Sequence, residues 1–287
     1  MNAVDKILTL PQHLIPQHLL SHLAYRITRS TFAPLKNALI KTFIRKYDVD
    51  MGLALLRNPE SYESFNAFFT RSLREDARPV DLRENVLCSP VDARISQCGP
   101  IKHDRLFQAK GRHFTLSSLL GEQKSAQQFT DGSFATLYLS PRDYHRIHMP
   151  AAGQLRSIIY IPGRLFSVNP RTTRAVDALF ARNERVCLHF NGQAGPYVVI
   201  LVGAIFVGSI NTVWTGDITP PRTHELTKWS FDSSKSEYAS QCGDELGQFN
   251  MGSTVILLFP KDAVRWSQTV TPDAFVKMGT AIGEFRI

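Results

Sequence analysis

Near the end of the chain a glycine–serine pair stands at the mouth of an apolar run: Phe249-Asn250-Met251-Gly252-Ser253-Thr254, then Val255-Ile256-Leu257-Leu258-Phe259. The run is short, β-branched and stopped by Pro260, so it reads as a buried strand. Taken alone, the pair fits a tight turn entering a core strand, with Gly252 supplying an unusual backbone angle and Ser253 exposed. The chemistry open to a Gly-Ser bond gives a second reading. A serine hydroxyl can attack the carbonyl before it and turn the amide into an ester, given a base, an oxyanion stabiliser and a bent peptide. Glycine crowds that carbonyl least and tolerates the strain. Elimination of the acyl group then leaves dehydroalanine and, after hydrolysis, an N-terminal pyruvoyl group. One residue would serve as nucleophile and as precursor of a built-in carbonyl cofactor.

A base is available in the densest polar cluster, Tyr138-Leu-Ser-Pro-Arg-Asp-Tyr-His-Arg-Ile-His-Met-Pro150, where His145 and His148 stand three apart. They could share one face of a helical turn or flank a bend beside a strand end. A metal reading lacks a Cys or carboxylate partner at ligand spacing. The plain alternative is a pair of surface or hydrogen-bonded histidines; the sharper one is a general base, since an imidazole titrates near working pH. A carboxylate is available in Ser89-Pro90-Val91-Asp92-Ala93-Arg94-Ile95-Ser96. Asp92 interrupts a strand-like run, where an unpaired charge is costly to bury, so it must meet a cation, backbone amides or a histidine. A turn or capping aspartate is the commoner case.

The elements that must hold these groups follow from periodicity. Leu19, Leu20, Leu23, Ala24 and Ile27 repeat at helical spacing; Leu35, Ala38, Leu39, Phe43 and Tyr47 do so after Pro34; Tyr62, Phe65, Phe68, Phe69 and Leu73 form a third stripe. Residues 1–75 are therefore expected to form a helical region. Between Arg26 and Lys46 stand six basic residues and no acidic one, a pattern that suits an interfacial helix or a solvated face on a packed layer. From residue 76 a β-rich body is expected, with strands at Leu87–Ser96, Phe134–Leu139, Gln154–Ile161, Val186–Phe190, Tyr197–Val207 and Ser253–Phe259, and helical turns at Thr115–Leu120 and Arg174–Phe180. The fold class is α+β, a helical N-terminal layer on a β-rich catalytic body.

Composition sets the outer bounds. The 287 residues allow one large domain or two modest ones, and a net charge of +8 favours anionic surfaces, whether nucleic acid, acidic lipid or substrate. Four cysteines without paired spacing point to a reducing compartment and no disulfide framework. No signal peptide is recognised, and no stretch approaches the roughly 20 apolar residues that span a bilayer. The run from Val198 to Ile210 reads instead as a core strand pair interrupted by Gly203 and Gly208.

The cluster 138–150, together with Gly163-Arg-Leu-Phe-Ser-Val-Asn169, Phe180-Ala-Arg-Asn-Glu-Arg185, Val202-Gly-Ala-Ile-Phe-Val-Gly-Ser-Ile210, Thr215-Gly-Asp-Ile-Thr-Pro-Pro221 and Met251-Gly-Ser-Thr254, resembles the bacterial phosphatidylserine decarboxylase proenzymes. The likeness covers nearly the whole chain and is strongest from about Asp92 to Phe259. It implies a self-cleavage triad of Ser253 as nucleophile, His148 as base and Asp92 orienting the imidazole, the three roles of a serine protease turned on the Gly252–Ser253 bond. Cleavage would leave a β chain of 1–252 and an α chain of 253–287, the latter too short to fold alone and headed by the pyruvoyl group. Two residues depart from the family pattern. Met251 replaces a leucine with similar volume, and Ala93 stands where a glycine commonly follows the aspartate, which would add strain if that position needed a positive φ.

The implied reaction starts with the phosphatidylserine amine forming a Schiff base with the pyruvoyl ketone. The conjugated carbonyl takes up electrons as CO2 leaves, and phosphatidylethanolamine is released. His145 is expected to assist protonation, and Phe166 and Ser167 to line the lip or pocket of the substrate site. The partners implied are phosphatidylserine, an anionic membrane surface met through the basic N-terminal helices, and the two chains of one precursor. The location implied is peripheral, on the cytoplasmic side of the cell membrane. A homodimer closing a membrane-facing site is compatible with this reading, and neither a metal nor nucleic acid is called for. Two rivals stand beside it: a serine hydrolase using Asp92, His148 and Ser253, which lacks the Gly-x-Ser-x-Gly elbow, and a non-enzymatic basic membrane-binding module.

Overall fold

The computed structural model describes residues 5, 9–205, 209–219, 225–232, 234–250 and 253–286, with Ser253 described by its backbone alone. The N-terminal layer is helical: α1 (Pro11–Leu14), α2 (Gln17–Thr28), α3 (Ala33–Tyr47) and, after a short 3-10 turn, α4 (Phe65–Phe69). Proline fills the first turn of α1 and α3, where its missing N–H costs nothing. The third expected stripe yields only the single turn α4, capped by Ser64, because its aromatics pack inward rather than along a helix face. Phe65, Phe68, Phe69 and Tyr62 gather with Ile40 and Val49 into a small core of their own.

The remaining chain is β-rich: β1 (Val86–Cys88), β2 (Ala93–Pro100), β3 (Arg105–Ala109), β4 (Arg112–Thr115), helices α5 (Leu116–Leu120) and α6 (Gln123–Gln127), β5 (Ser133–Leu139), β6 (Arg146–His148) and β7 (Gly153–Ile161). Helices α7 (Pro170–Ala175) and α8 (Leu179–Arg182) lead to β8 (Arg185–Gly192), β9 (Gly195–Val202), β10 (Ile210–Thr212), β11 (Gly216–Asp217), β12 (Thr227–Ser230) and β13 (Ala239–Ser240). The chain closes with β14 (Glu245–Phe249), β15 (Ser253–Phe259), β16 (Val264–Trp266), β17 (Phe275–Val276) and β18 (Ala281–Phe285). The fold is α+β, as its periodicities imply.

A nine-stranded antiparallel sheet, β12-β7-β8-β9-β15-β5-β2-β17 with β13 joined to β7, forms the centre. Alternate residues of its strands serve two cores. Val255, Leu257, Leu137, Leu201 and Leu188 face the β10–β14–β6 and β1–β18–β16 sheets, while Ile256, Leu258, Ile200 and Cys187 face the β3–β4 hairpin and helices α5–α8. Burial on both faces explains why β15 reads as an unbroken apolar run rather than an alternation. Among the described residues no helix is long and apolar enough to cross a membrane.

Three expected elements differ, each for a local reason. The strand expected at Leu87–Ser96 divides into β1 and β2 around a turn at Ser89–Asp92, where Pro90 has no amide to donate. The strand expected to run from Tyr197 to Val207 stops at Val202: Gly203 N donates to Glu184 O (2.8 Å) and Gly203 O accepts from the Asn183 side chain (2.8 Å). Residues 206–208 and 220–221, within the quoted blocks, lie outside the described residues. The helix expected at Arg174–Phe180 breaks between α7 and α8, with Ala178 in the left-handed region at φ 48°. Buried Gln108 takes over the freed backbone groups, donating to Thr173 O (2.9 Å) and Val176 O (2.8 Å) and accepting from Leu179 N (2.9 Å).

Candidate active site

The chain changes sheets between β14 and β15. Phe249 ends a strand that pairs with β10 and β6, and Ser253 begins one that lies between β5 and β9. Backbone register sets Ser253 opposite Leu139, and Thr254 opposite Val202 and Tyr138, at one end of the nine-stranded sheet. Met251 and Gly252 lie outside the described residues. The residue before them is anchored: Asn250 is buried, its amide donates to Ser209 O (3.0 Å), its side chain donates to Ser209 Oγ, and its Oδ1 accepts from Asn66 (3.0 Å).

Asp92 stands at the same end of the sheet, two strands across. It precedes β2, whose Arg94 pairs with Tyr138 of β5, so its backbone lies roughly 10 Å from that of Ser253. Asp92 is 3% exposed and its carboxylate is clamped by Arg78, whose Nε donates to Oδ1 (2.8 Å) and Oδ2 (3.0 Å) while Nη2 donates to Oδ2; Met278 N also donates to Oδ1 (2.9 Å). The buried charge thus meets a cation and a backbone amide, two of the three partners its burial demands. Ala93 begins a strand paired with Val276 and has no positive φ, so alanine sits there without the strain that a glycine-only position would impose.

His148 ends β6 with its backbone N donating to Pro90 O (2.9 Å), which holds β6 beside the turn that carries Asp92. Its imidazole is engaged at both nitrogens. Nδ1–H donates to Gly243 O (2.8 Å), which leaves Nε2 as the acceptor of the Tyr144 hydroxyl (3.1 Å). Among the described residues no hydrogen bond joins Asp92 to His148; Gly243 occupies the orienting position at Nδ1. Burial pushes the His148 pKa down, and the Asp92 charge is one of the groups pulling it back up.

His145 is fully buried against Phe69, ring centroids 4.1 Å apart. Its Nδ1–H donates to Asp143 O (2.8 Å), and Nε2 has no partner among the described residues. Desolvation holds its pKa down to about 3, so the ring is a neutral acceptor through the ordinary pH range. His145 O accepts from Phe249 N (3.0 Å), which sets this histidine beside the exit of β14. Among the described residues no group of three or more His, Cys, Asp or Glu is arranged to hold a metal.

Phe166 and Ser167, read in the sequence as lip or pocket residues, lie against the N-terminal helices. Phe166 is fully buried, its ring against His13 (4.8 Å) and beneath the Arg182 guanidinium (5.0 Å). Ser167 N donates to Gln12 Oε1 (2.9 Å) and Leu165 N to Gln17 Oε1 (2.9 Å), so α1 and α2 sit directly on this loop. Sequence reasoning missed Arg78, Gly243 and Gln108. The only signal for Arg78 was the requirement that a buried Asp92 find a cation. Nothing in the sequence distinguishes the carbonyl of Gly243 from any other.

Comparison with known proteins identifies the family of the chain. A family model described as phosphatidylserine decarboxylase matches residues 65–284, and a second, described as PSD, matches residues 7–48. A protein of Azotobacter vinelandii named phosphatidylserine decarboxylase proenzyme is 50% identical over 282 residues, covering 98% of this chain and 98% of its own length. Proteins of the same name from Nitrosococcus oceani (50% over 281 residues, 98% and 92%) and a Shewanella strain (46% over 286 residues, 99% and 98%) are similar to the same extent.

Proposed function

This chain belongs to the phosphatidylserine decarboxylase family, and we propose that it converts phosphatidylserine to phosphatidylethanolamine with a pyruvoyl group made from its own Ser253. The observation that carries this reading is the 50% identity across 98% of the chain to a protein named as such a proenzyme. The residues suit the cofactor. The end of β14, four residues before Ser253, is bonded to the backbone of His145, whose buried Nε2 lacks a partner among the described residues. When formed, the pyruvoyl group supplies a ketone for the substrate amine and a sink for the electrons released with CO2.

The chain's own residues divide the work. Ser253 attacks the Gly252 carbonyl, and His148 takes the hydroxyl proton at Nε2 once the Tyr144 hydroxyl has left that lone pair. The imidazolium so formed is favoured by the fixed charge of Asp92, while Gly243 O keeps the proton on Nδ1. In the second reaction His145, neutral and desolvated, cannot begin as the acid. Its unpartnered Nε2 instead accepts a hydrogen bond from the group that returns a proton to the carbon that lost CO2. Residues 1–75 form the membrane-associating region and 76–287 the catalytic one, at the cytoplasmic face of the cell membrane; Leu14, Leu19, Leu23 and Phe32 are exposed on the helices for that purpose.

A denatured intact mass decides the proposal. Two species split at Gly252–Ser253, the smaller with a blocked pyruvoyl-sized N-terminus, together with CO2 release from phosphatidylserine vesicles, are expected. One full-length mass carrying a serine-reactive phosphonate would replace this reading with the serine hydrolase.

A further inference from the structure

Two of the four cysteines that show no paired spacing in the sequence meet in the fold. Cys88 in β1 and Cys242 before β14 lie close enough for each thiol to shift the titration of the other. They also converge on one carbonyl: Cys88 N donates to Pro150 O (2.9 Å) and Cys242 Sγ lies 3.6 Å from the same oxygen. Their surroundings differ. Cys88 is buried, with its Sγ 3.3 Å from Asp81 O, whereas Cys242 is half-buried and lines a cavity of about 210 Å³ with Asp81, Arg83, Ala151 and Gln241.

We propose that Cys88 and Cys242 are a peroxide-sensitive dithiol whose closure to a disulfide displaces the carbonyl that orients His148. The Cys242 thiolate attacks one oxygen of hydrogen peroxide, the O–O bond breaks, and hydroxide leaves, giving a sulfenic acid. The Cys88 thiol then attacks that sulfur, the S–S bond forms and water leaves. Two thiols lose two electrons in all, and one peroxide becomes two waters. The thiol pair has the asymmetry this sequence needs: the neighbouring Cys88 side chain holds the Cys242 thiol below its ordinary range, and the Cys242 side chain together with burial pushes Cys88 up.

The consequence follows from what each cysteine is tied to. A disulfide brings sulfurs to about 2.05 Å, well inside the separation of two unbonded thiols. Cys88 is fixed in a strand paired with β18 and bonded to Pro150 O, so the movement falls on Cys242. Its neighbour Gly243, at φ +88°, donates to Met149 O (2.9 Å) and accepts from His148 Nδ1 (2.8 Å). Both bonds lie on the β6 arm that carries His145 and His148. The effect on catalysis rests on the function proposed for that arm; the disulfide does not.

The test uses the full chain, reduced, exposed to hydrogen peroxide, then digested without reductant and mapped by mass spectrometry. A Cys88–Cys242 cross-linked peptide is expected, with Cys98 and Cys187 still alkylatable. Decarboxylation should slow on the order of ten- to a hundredfold and recover in dithiothreitol, the size of effect an ångström-scale misplacement brings. C242S should keep its rate in peroxide. Untouched thiols, or Cys242 oxidised to a sulfinic acid without a cross-link, overturn the pairing. A mapped disulfide with an unchanged rate overturns the link to the arm of residues 145–149 that carries both histidines. Absent activity in untreated protein would count against the decarboxylase reading, while the peptide map still decides the disulfide.

Discussion

Asp92 is held from two sides, by the Arg78 guanidinium and by the Met278 amide, in a site where water has little access. Removing one member of a buried ion pair leaves the other charge unsolvated, which costs about 3–5 kcal/mol. Arg78→Ala should therefore lower the urea-unfolding free energy by about that amount, and a loss under 1 kcal/mol would mean the clamp is solvated. The histidines make a second residue-scale prediction. Burial holds His145 near 3 and His189 near 4, against about 6.5 in an unfolded chain. Below pH 6.5 the unfolded chain binds the extra protons, so their stabilisation is complete above that pH and is lost as the pH falls towards 4 and 3. The slope reaches about 1.4 kcal/mol per pH unit for His145 alone. The urea midpoint should stay level from neutral pH down to about 6.5 and fall steadily beneath it; a level midpoint down to pH 4 would place the imidazoles in water.

Helices α1 and α2 do two things at once. Gln12 and Gln17 bond the backbone of the 165–167 loop, while Leu14 (82%), Leu19 (66%) and Leu23 (53%) remain exposed on the far side. Such a face suits an interface, with Arg26 and the basic α3 beside it to meet anionic headgroups. Leu14→Glu, Leu19→Glu and Leu23→Glu together should cut flotation with phosphatidylserine-containing vesicles several-fold and leave the Gly252–Ser253 cleavage intact. Undiminished flotation would move the membrane contact elsewhere on the molecule. The same element shows how far sequence carries: the stripes at 19–27 and 35–47 became helices, yet nothing in them showed that two glutamines would reach the loop of Phe166, some 150 positions away.

At the scale of the whole molecule, the strand that follows the proposed cleavage site is central to the nine-stranded sheet. β15 pairs along its length with β5 and along most of it with β9, and both of its faces are buried. β17 and β18 continue that embedding by pairing with β2 and β1, and β16 pairs with β18. Cutting the chain before Ser253 severs one bond and none of this pairing, so residues 253–287 should co-elute with 1–252 through size exclusion and separate only in denaturant. Separation under native conditions would contradict the placement of β15.

What the sequence determined by itself is local. An apolar run closed by proline is a strand whatever surrounds it, a glycine–serine bond carries its chemistry wherever it lies, and the ordered blocks from 138 to 254 point to one family. Tertiary structure decided the partners. Asp92 and Arg78 stand 14 positions apart, His148 and Gly243 95, Gln108 and Leu179 71, and Cys88 and Cys242 share a carbonyl 92 positions before the second of them. A hydrogen bond depends on where two atoms arrive, and only the folded sheet brings such distant positions together. Spacing along the chain could name the groups that needed partners, and the fold alone chose them.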